Sequence, residues 1–195
     1  MNNGRRLRMF VAVTLPDPVR EAVSRLVREL SGRLTGVRWT KSENIHLTLK
    51  FLGGAEASSI PPLRDCLDRL AESHLPFPAA LEGLGVFPPR GKPRVIWAGV
   101  GEGRGRLTAL AEELDRDLEG LGFPRETRKY TPHLTLGRFK KTRPGSDPRE
   151  IAREVEMRRS DSLGSLKVDM IVLMESTLTP GGAIHRIVSR HGAGD

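Results

Sequence analysis

The tetrapeptide His-Leu-Thr-Leu occurs twice, at 46–49 and 133–136, in a chain with five histidines among 195 residues. At average amino-acid usage a His-x-Thr match is expected on the order of 0.2 times in such a length. Two copies sharing both leucines therefore imply two similar strands in a symmetric arrangement. Side chains alternate along a strand, so His46 and Thr48 share one face while Leu47 and Leu49 point to the other. His133 and Thr135 repeat the pattern above Leu134 and Leu136. Each copy offers an imidazole and a hydroxyl from a strand anchored from behind in a core.

A single His-x-Thr needs no more explanation than a strand histidine held by a backbone carbonyl and a threonine that favours strands. Two copies facing each other do more. An imidazole titrates near neutrality, at about 6.5, and can take or give a proton. A hydroxyl two residues on can donate to an oxygen of the same group. The pair supplies a base, an acid and two neutral donors around one tetrahedral anion, which suits in-line displacement at phosphorus. A metal site is poorly supported, because each segment has one His and no Cys.

Around these motifs the periodicity predicts short strands alternating with amphipathic helices. Leu7–Leu15 reads as a strand, followed by Asp17 as N-cap with Pro18 at the first helical position. Val19, Ala22, Val23, Leu26, Val27, Leu30 and Leu34 then mark one apolar stripe. Val37–Thr40 and Ile45–Leu52 read as strands, the second stopped by Gly53-Gly54. A second helical stripe runs from Ile60 to Ala71, and a third from Leu107 to Leu121, ended by Gly122. Pro76–Phe87, Arg94–Val100 and Leu134–Phe139 are further strands. A helix is expected from about Pro148 to Met157, and a strand pair, Leu166–Leu178 and Ile184–Arg190, around Pro180-Gly181-Gly182. The class is α+β, with helices outside mostly antiparallel sheets and no linker dividing the chain.

Composition narrows the setting. No apolar run approaches the roughly 20 residues needed to span a bilayer, and the N-terminal stretch lacks a small-residue cleavage site, so no signal peptide is expected. One cysteine, Cys66, excludes an intrachain disulfide and fits a reducing cytoplasm. Lys plus Arg is 32 against 24 acidic residues, a formal charge of +8, and 25 of the 32 are Arg. The guanidinium fork matches phosphate geometry and suits nucleic acid or nucleotides. A GC-rich genome produces the same bias, so charge alone does not decide the partner.

Several longer stretches resemble one family, the two-histidine (2H) phosphoesterases, and within it the RNA 2′,3′-cyclic phosphodiesterases formerly called 2′-5′ RNA ligases. They are RLRMFVAVTLP, VRWTKSENIHLTLKFLG, PRVIWAGV, TPHLTLGRF and VDMIVLMESTLTPGGAIHRIV, which together span nearly the whole chain. The resemblance implies a single bilobal domain over 1–195: two pseudo-symmetric lobes, each an antiparallel sheet with helices outside, and an active groove between them. It implies His46, Thr48, His133 and Thr135 as the catalytic quartet, with His133 as base and His46 as acid. Phe51 and Arg138, each five residues after a motif histidine, match positions near the nucleobase, where a base can stack on a ring or a guanidinium plane. Alternation places Phe51 on the Leu47/Leu49 face unless the strand bends. His185 departs from the family, which often has an aromatic after the Gly-Gly-Ala turn.

The leading expectation is a phosphodiesterase, without metal or other cofactor, that opens a terminal 2′,3′-cyclic phosphate on RNA to a 2′-phosphomonoester. It is expected to act as a monomer in the cytoplasm, with no membrane partner. The same quartet acting on a small cyclic nucleotide or in reversible 2′-5′ ligation is the alternative. A non-catalytic protein that grips RNA ends is a second. Lys41, Lys50, Arg94, Arg128, Lys129, Lys140, Lys141 and Arg143 flank the motif strands as a candidate phosphate-tracking rim. Gly99–Gly105 lacks the spacing of a dinucleotide loop and no Gly-Lys-Ser/Thr comes after it, so it reads as a flexible connection with Arg104 and Arg106 in solvent. His74 and His191 read as surface residues, Cys66 as a small core residue, and Trp39 and Trp97 as core or groove wall.

Overall fold

Strand and helix alternate as the periodicity predicts in the computed structural model, which describes residues 6–140 and 146–192. Strand β1 (Leu7–Val13) leads into helix α1 (Asp17–Arg33), then β2 (Val37–Trp39) and β3 (Leu47–Ala55). Helix α2 (Ile60–His74) precedes the antiparallel pair β4 (Phe77–Phe87) and β5 (Val95–Val100), helix α3 (Arg104–Glu119) and β6 (His133–Phe139). Helix α4 (Pro148–Met157) is followed by β7 (Ser162–Val168), β8 (Met170–Thr179) and β9 (Gly182–Gly192).

The strands form one antiparallel sheet in the order β7-β4-β5-β6-β3-β1-β8-β9, with β2 also paired to β6. Its two halves, β7-β4-β5-β6 and β3-β1-β8-β9, meet where Leu47 pairs with Leu134. The strands bearing the two motifs are therefore the innermost strand of each half. This is the α+β architecture expected, with two lobes that are halves of one sheet.

The helical stripes close the convex face. Val19, Val23, Leu26 and Leu30 of α1 are buried, as are Leu63, Leu67 and Leu70 of α2 and Leu107, Leu110, Leu114 and Leu118 of α3. Each such side chain contributes roughly 1.5–3 kcal/mol by leaving water. Leu47, Leu134 and Leu136 are fully buried beneath the motifs, and Leu49 nearly so. The backs of both motif strands are thus fixed in one continuous core.

Several expectations need correction. Asp17 is the first helical residue, not the cap; Pro16 holds the cap at φ −65° and ψ 154°, and Asp17 instead pairs with Arg20 at 2.7 Å. Helix α3 ends before Leu121, which is exposed. The stretch Leu166–Leu178 is two strands: β7 pairs with β4 and β8 with β1, so the chain crosses between halves at Asp169. Gly53-Gly54 do not stop β3, because Gly53 takes φ +70° within a bulge and pairing continues to Ala55. Gly99–Gly105 is not a loose connection either. Gly101 N–H donates to Ala80 O at 3.0 Å and Ala80 N–H to Glu102 O at 3.2 Å. Arg104 and Arg106 are exposed as expected, although Arg106 also donates to His74 O and lies over the Phe77 ring.

Candidate active site

The Leu47–Leu134 pairing sets the site. Extending that antiparallel register by one residue each way places His46 opposite Thr135 and Thr48 opposite His133. With both leucines pointing into the core, all four polar side chains stand on the concave face. On that register the two histidines and two threonines alternate around the Leu47–Leu134 pair. Tyr130 Oη donates to the Thr48 carbonyl at 2.9 Å, tying the segment before β6 to β3.

Both imidazoles are held by the backbone two residues upstream. His133 Nδ1 lies 2.6 Å from the Thr131 carbonyl, and the His46 ring hydrogen-bonds the backbone of Asn44. For His133 this contact puts the proton on Nδ1 and leaves Nε2 with a free lone pair, the form a general base needs. Asn44 is itself fixed by a 2.8 Å hydrogen bond from its Nδ2 to Ala183 O. Burial lowers the His46 pKa to about 4, aided by the neighbouring His185 and opposed by the Asn44 contact. Burial also lowers that of His133; the Thr131 carbonyl works against the shift and the Arg138 charge adds to it. The free groove therefore holds two neutral imidazoles at pH 7.

Each motif carries a β-bulge directly after its threonine. Thr48 pairs with Ala12 and Lys50 with Val11, so Leu49 is extra; Thr135 pairs with Trp97 and Gly137 with Ile96, so Leu136 is extra. A bulge shifts the alternation of every later residue in its strand. Phe51 now pairs with Phe10, which faces the groove, and its ring lies 5.9 Å from that of Phe10. At 59% exposure Phe51 presents an open aromatic face. Arg138 is moved in the same way, and it is near enough to act electrostatically on His133. The bend that alternation required for Phe51 is this bulge.

The same bulge removes Lys50 from the candidate rim. Its ammonium turns into the core side, is 3% exposed, and bonds Asp115 of α3 and the Pro124 carbonyl. Lys41, Arg94, Arg128, Lys129 and Lys140 are exposed, while Lys141 and Arg143 lie outside the described residues. His191 is not at the surface: it is buried between Asp68 (2.6 Å) and Ser189 (2.8 Å). His74 is half-buried against Glu113, 2.9 Å away. Cys66 is buried and unpaired, as expected of a small core residue.

Trp97 lines the groove, one of the two places expected for it; the other aromatic walls were not marked by the motifs. On one side Phe10 stacks on His46 at 4.8 Å, and His185 meets both rings edge-on at 5.0 and 5.3 Å. On the other, Phe87 and Trp97 flank His133 at 5.0 and 6.1 Å. Trp97 lies against Gly85, where any Cβ would come within 2.1 Å of its ring. Gly85, a glycine inside strand β4, is the sequence signal of that close approach. Among the described residues no three His, Cys, Asp or Glu gather as a metal site requires.

Residues 15–179 match the model of a family described as the 2′-5′ RNA ligase superfamily. An Archaeoglobus fulgidus protein named RNA 2′,3′-cyclic phosphodiesterase is 39% identical over 180 residues, 92% of this chain and 97% of that one. One of the same name from Aquifex aeolicus is 33% identical over 184 residues, covering 93% and 95%. A solved Thermus thermophilus structure superposes with a TM-score of 0.78 at 28% identity, covering 96% of this chain and 98% of that one.

Proposed function

Because the chain belongs to the 2′-5′ RNA ligase superfamily, we propose that it is an RNA 2′,3′-cyclic phosphodiesterase whose reaction is carried by the two His-x-Thr pairs. The observation that supports this reading best is the Leu47–Leu134 register, which sets each histidine opposite the other motif's threonine on one face. Thr48 and Thr135 donate to the nonbridging oxygens of the cyclic phosphate. Neutral His133 takes a proton from water as the oxygen–phosphorus bond forms on one side. The P–O3′ bond breaks on the other side, and protonated His46 gives its proton to O3′. The products are a 3′-hydroxyl and a 2′-phosphomonoester. His133 leaves protonated and His46 neutral, and solvent restores the starting states. The monoanionic substrate favours the single imidazolium that the free groove disfavours.

One chain supplies both motifs, so the working unit is a monomer, and the chain functions as one bilobal domain. The unpaired Cys66 suits the reducing cytoplasm. The described helices include none long and apolar enough to cross a membrane.

The test is product separation after incubating an oligonucleotide ending in a 2′,3′-cyclic phosphate, with EDTA present. Release of the 2′-phosphomonoester, lost in His46→Ala and His133→Ala, is the expected result. A 3′-phosphomonoester overturns the assigned order of bond breaking. Binding without turnover makes the protein an RNA-end binder, and turnover that needs an added divalent ion removes the two-histidine mechanism.

A further inference from the structure

His185 lies on β9 opposite Ser176, and its ring faces the groove beside Phe10 and His46. It is held there firmly: Asn44, two residues before His46, bonds the carbonyl of Ala183, two residues before His185. Yet its ring makes no hydrogen bond to protein among the described residues. Nδ1 is buried and has no partner, and the ring as a whole is only half-buried, so Nε2 is the nitrogen that reaches the open groove.

The two nitrogens therefore differ in what they tolerate. A proton on Nδ1 would be a buried donor with nothing to accept it, so the stable neutral form carries its proton on Nε2. Desolvation lowers the pKa of this histidine as well, and a charge here would stand beside His46. A third acid or base is not what this arrangement makes. It makes a fixed, neutral N–H donor.

We propose that His185 is a substrate-contacting residue whose Nε2–H donates a hydrogen bond to the nucleoside bearing the cyclic phosphate, on the His46 side of the groove. The inference rests on the cyclic-phosphodiesterase reading. The quartet already surrounds the phosphate, and His185 lies outside the quartet on the edge strand β9, against His46, so the contact falls on sugar or base. A contact made equally before and during reaction changes KM and leaves kcat.

His185→Phe keeps the ring and its edge packing but deletes the donor, whereas His185→Gln sets an amide N–H near the place of Nε2. With an oligonucleotide ending in a cyclic phosphate, Phe should raise KM about ten-fold, the worth of one such hydrogen bond, with kcat within about three-fold of the parent. Gln should restore most of that loss. Calorimetry with adenosine 2′-monophosphate should rank the three proteins identically without needing turnover. If that ranking holds while the parent fails to turn over the cyclic end, the contact stands and the phosphodiesterase reading falls. Phe matching the parent in KM and affinity overturns the contact, as does Gln failing as Phe does at unchanged melting temperature. Should His185→Phe not fold, the parent's His185 Nε2 resonance provides the readout: a shift on adding the nucleotide is expected, and no shift overturns the proposal.

Discussion

Leu49 and Leu136 are equivalent residues: each is the unpaired member of a β-bulge one position after a groove threonine. The consequence is shared as well. Three residues after each threonine, a side chain that strict alternation would bury is returned to the concave face. In one half that side chain is Phe51, in the other Arg138. An exposed ring beside the two His-x-Thr pairs offers a stacking surface for a base, and a guanidinium offers a second plane.

Phe51→Ala should accordingly weaken substrate capture. Base–aromatic stacking is worth about 1–3 kcal/mol, or roughly 5- to 100-fold, and the loss should fall on KM because the ring is remote from the reacting atoms. Arg138→Ala should behave similarly and, by removing a positive neighbour, let the His133 pKa rise. Steady-state kinetics on a cyclic-phosphate-terminated oligonucleotide decide it. A kcat loss with unchanged KM at both positions would remove them from the nucleoside subsite.

The threonines are expected to act through their hydroxyls. Thr48→Ala and Thr135→Ala should each slow kcat on the order of 10²-fold, the usual cost of one preorganised donor, while Ser retains most of the rate. Equal rates for Ala and Ser at both positions would show that the hydroxyl is idle and that only the strand-forming side chain matters.

The shared face of the two His-x-Thr pairs was legible from sequence because period-two alternation needs only local information, and the duplicated tetrapeptide displayed it twice. The helical stripes were legible for the same reason, at a period near 3.6. What alternation missed were departures from alternation. Lys50 reads as a groove cation when counted from Thr48, and only the extra residue Leu49 sends it to the core. Gly53-Gly54 reads as a stop, whereas φ +70° at Gly53 lets β3 bulge and continue. His191 reads as tail, since nothing local reveals Asp68 on α2, 123 residues away in the chain. Long-range pairing decides such positions, and no window of neighbours contains it.

Lys50 gives a prediction about stability. It joins β3 to α3 through Asp115 and caps the Pro124 carbonyl. Burial disfavours the Asp115 carboxylate, but hydrogen bonds from Lys50 and the Glu126 N–H outweigh it and hold its pKa below the ordinary 3.8. A depressed carboxylate stabilises the fold above its unfolded pKa, and that stability is lost as pH falls through the lower folded value. Lys50→Met should cost about 2–4 kcal/mol near neutrality, because it removes the buried partner of Asp115 and the donor to the Pro124 carbonyl. It should also flatten the acid-side fall in melting temperature below pH 3.8. A melting temperature equal to the parent's at neutral pH would show that the pair is not a strut.

The imidazole pair predicts the shape of the pH profile. Burial lowers both pKa values in the free groove, that of His46 to about 4 and that of His133 below 6.5. The kcat/KM profile reports free-enzyme groups, so its maximum should lie on the acid side of 6.5. Bound phosphate favours the imidazolium, so the descending limb of kcat should sit at higher pH than that of kcat/KM. Coincident, flat profiles over the same range would sink a mechanism needing one charged and one neutral histidine.

The order of the two histidines is separable by leaving-group chemistry. His133 is held with its proton on Nδ1 by the Thr131 carbonyl, which leaves Nε2 ready to accept from water. On the proposed order His46 protonates O3′, and each alanine substitution should cost roughly 10²–10⁴-fold or more. A departing oxygen of low basicity needs no proton. A substrate in which O3′ is replaced by a better leaving group should therefore partly rescue His46→Ala, while His133→Ala, still lacking a base for water, stays slow. Rescue of His133→Ala alone would reverse the two roles. A loss of less than about ten-fold in both single variants would mean that neither proton transfer limits the reaction.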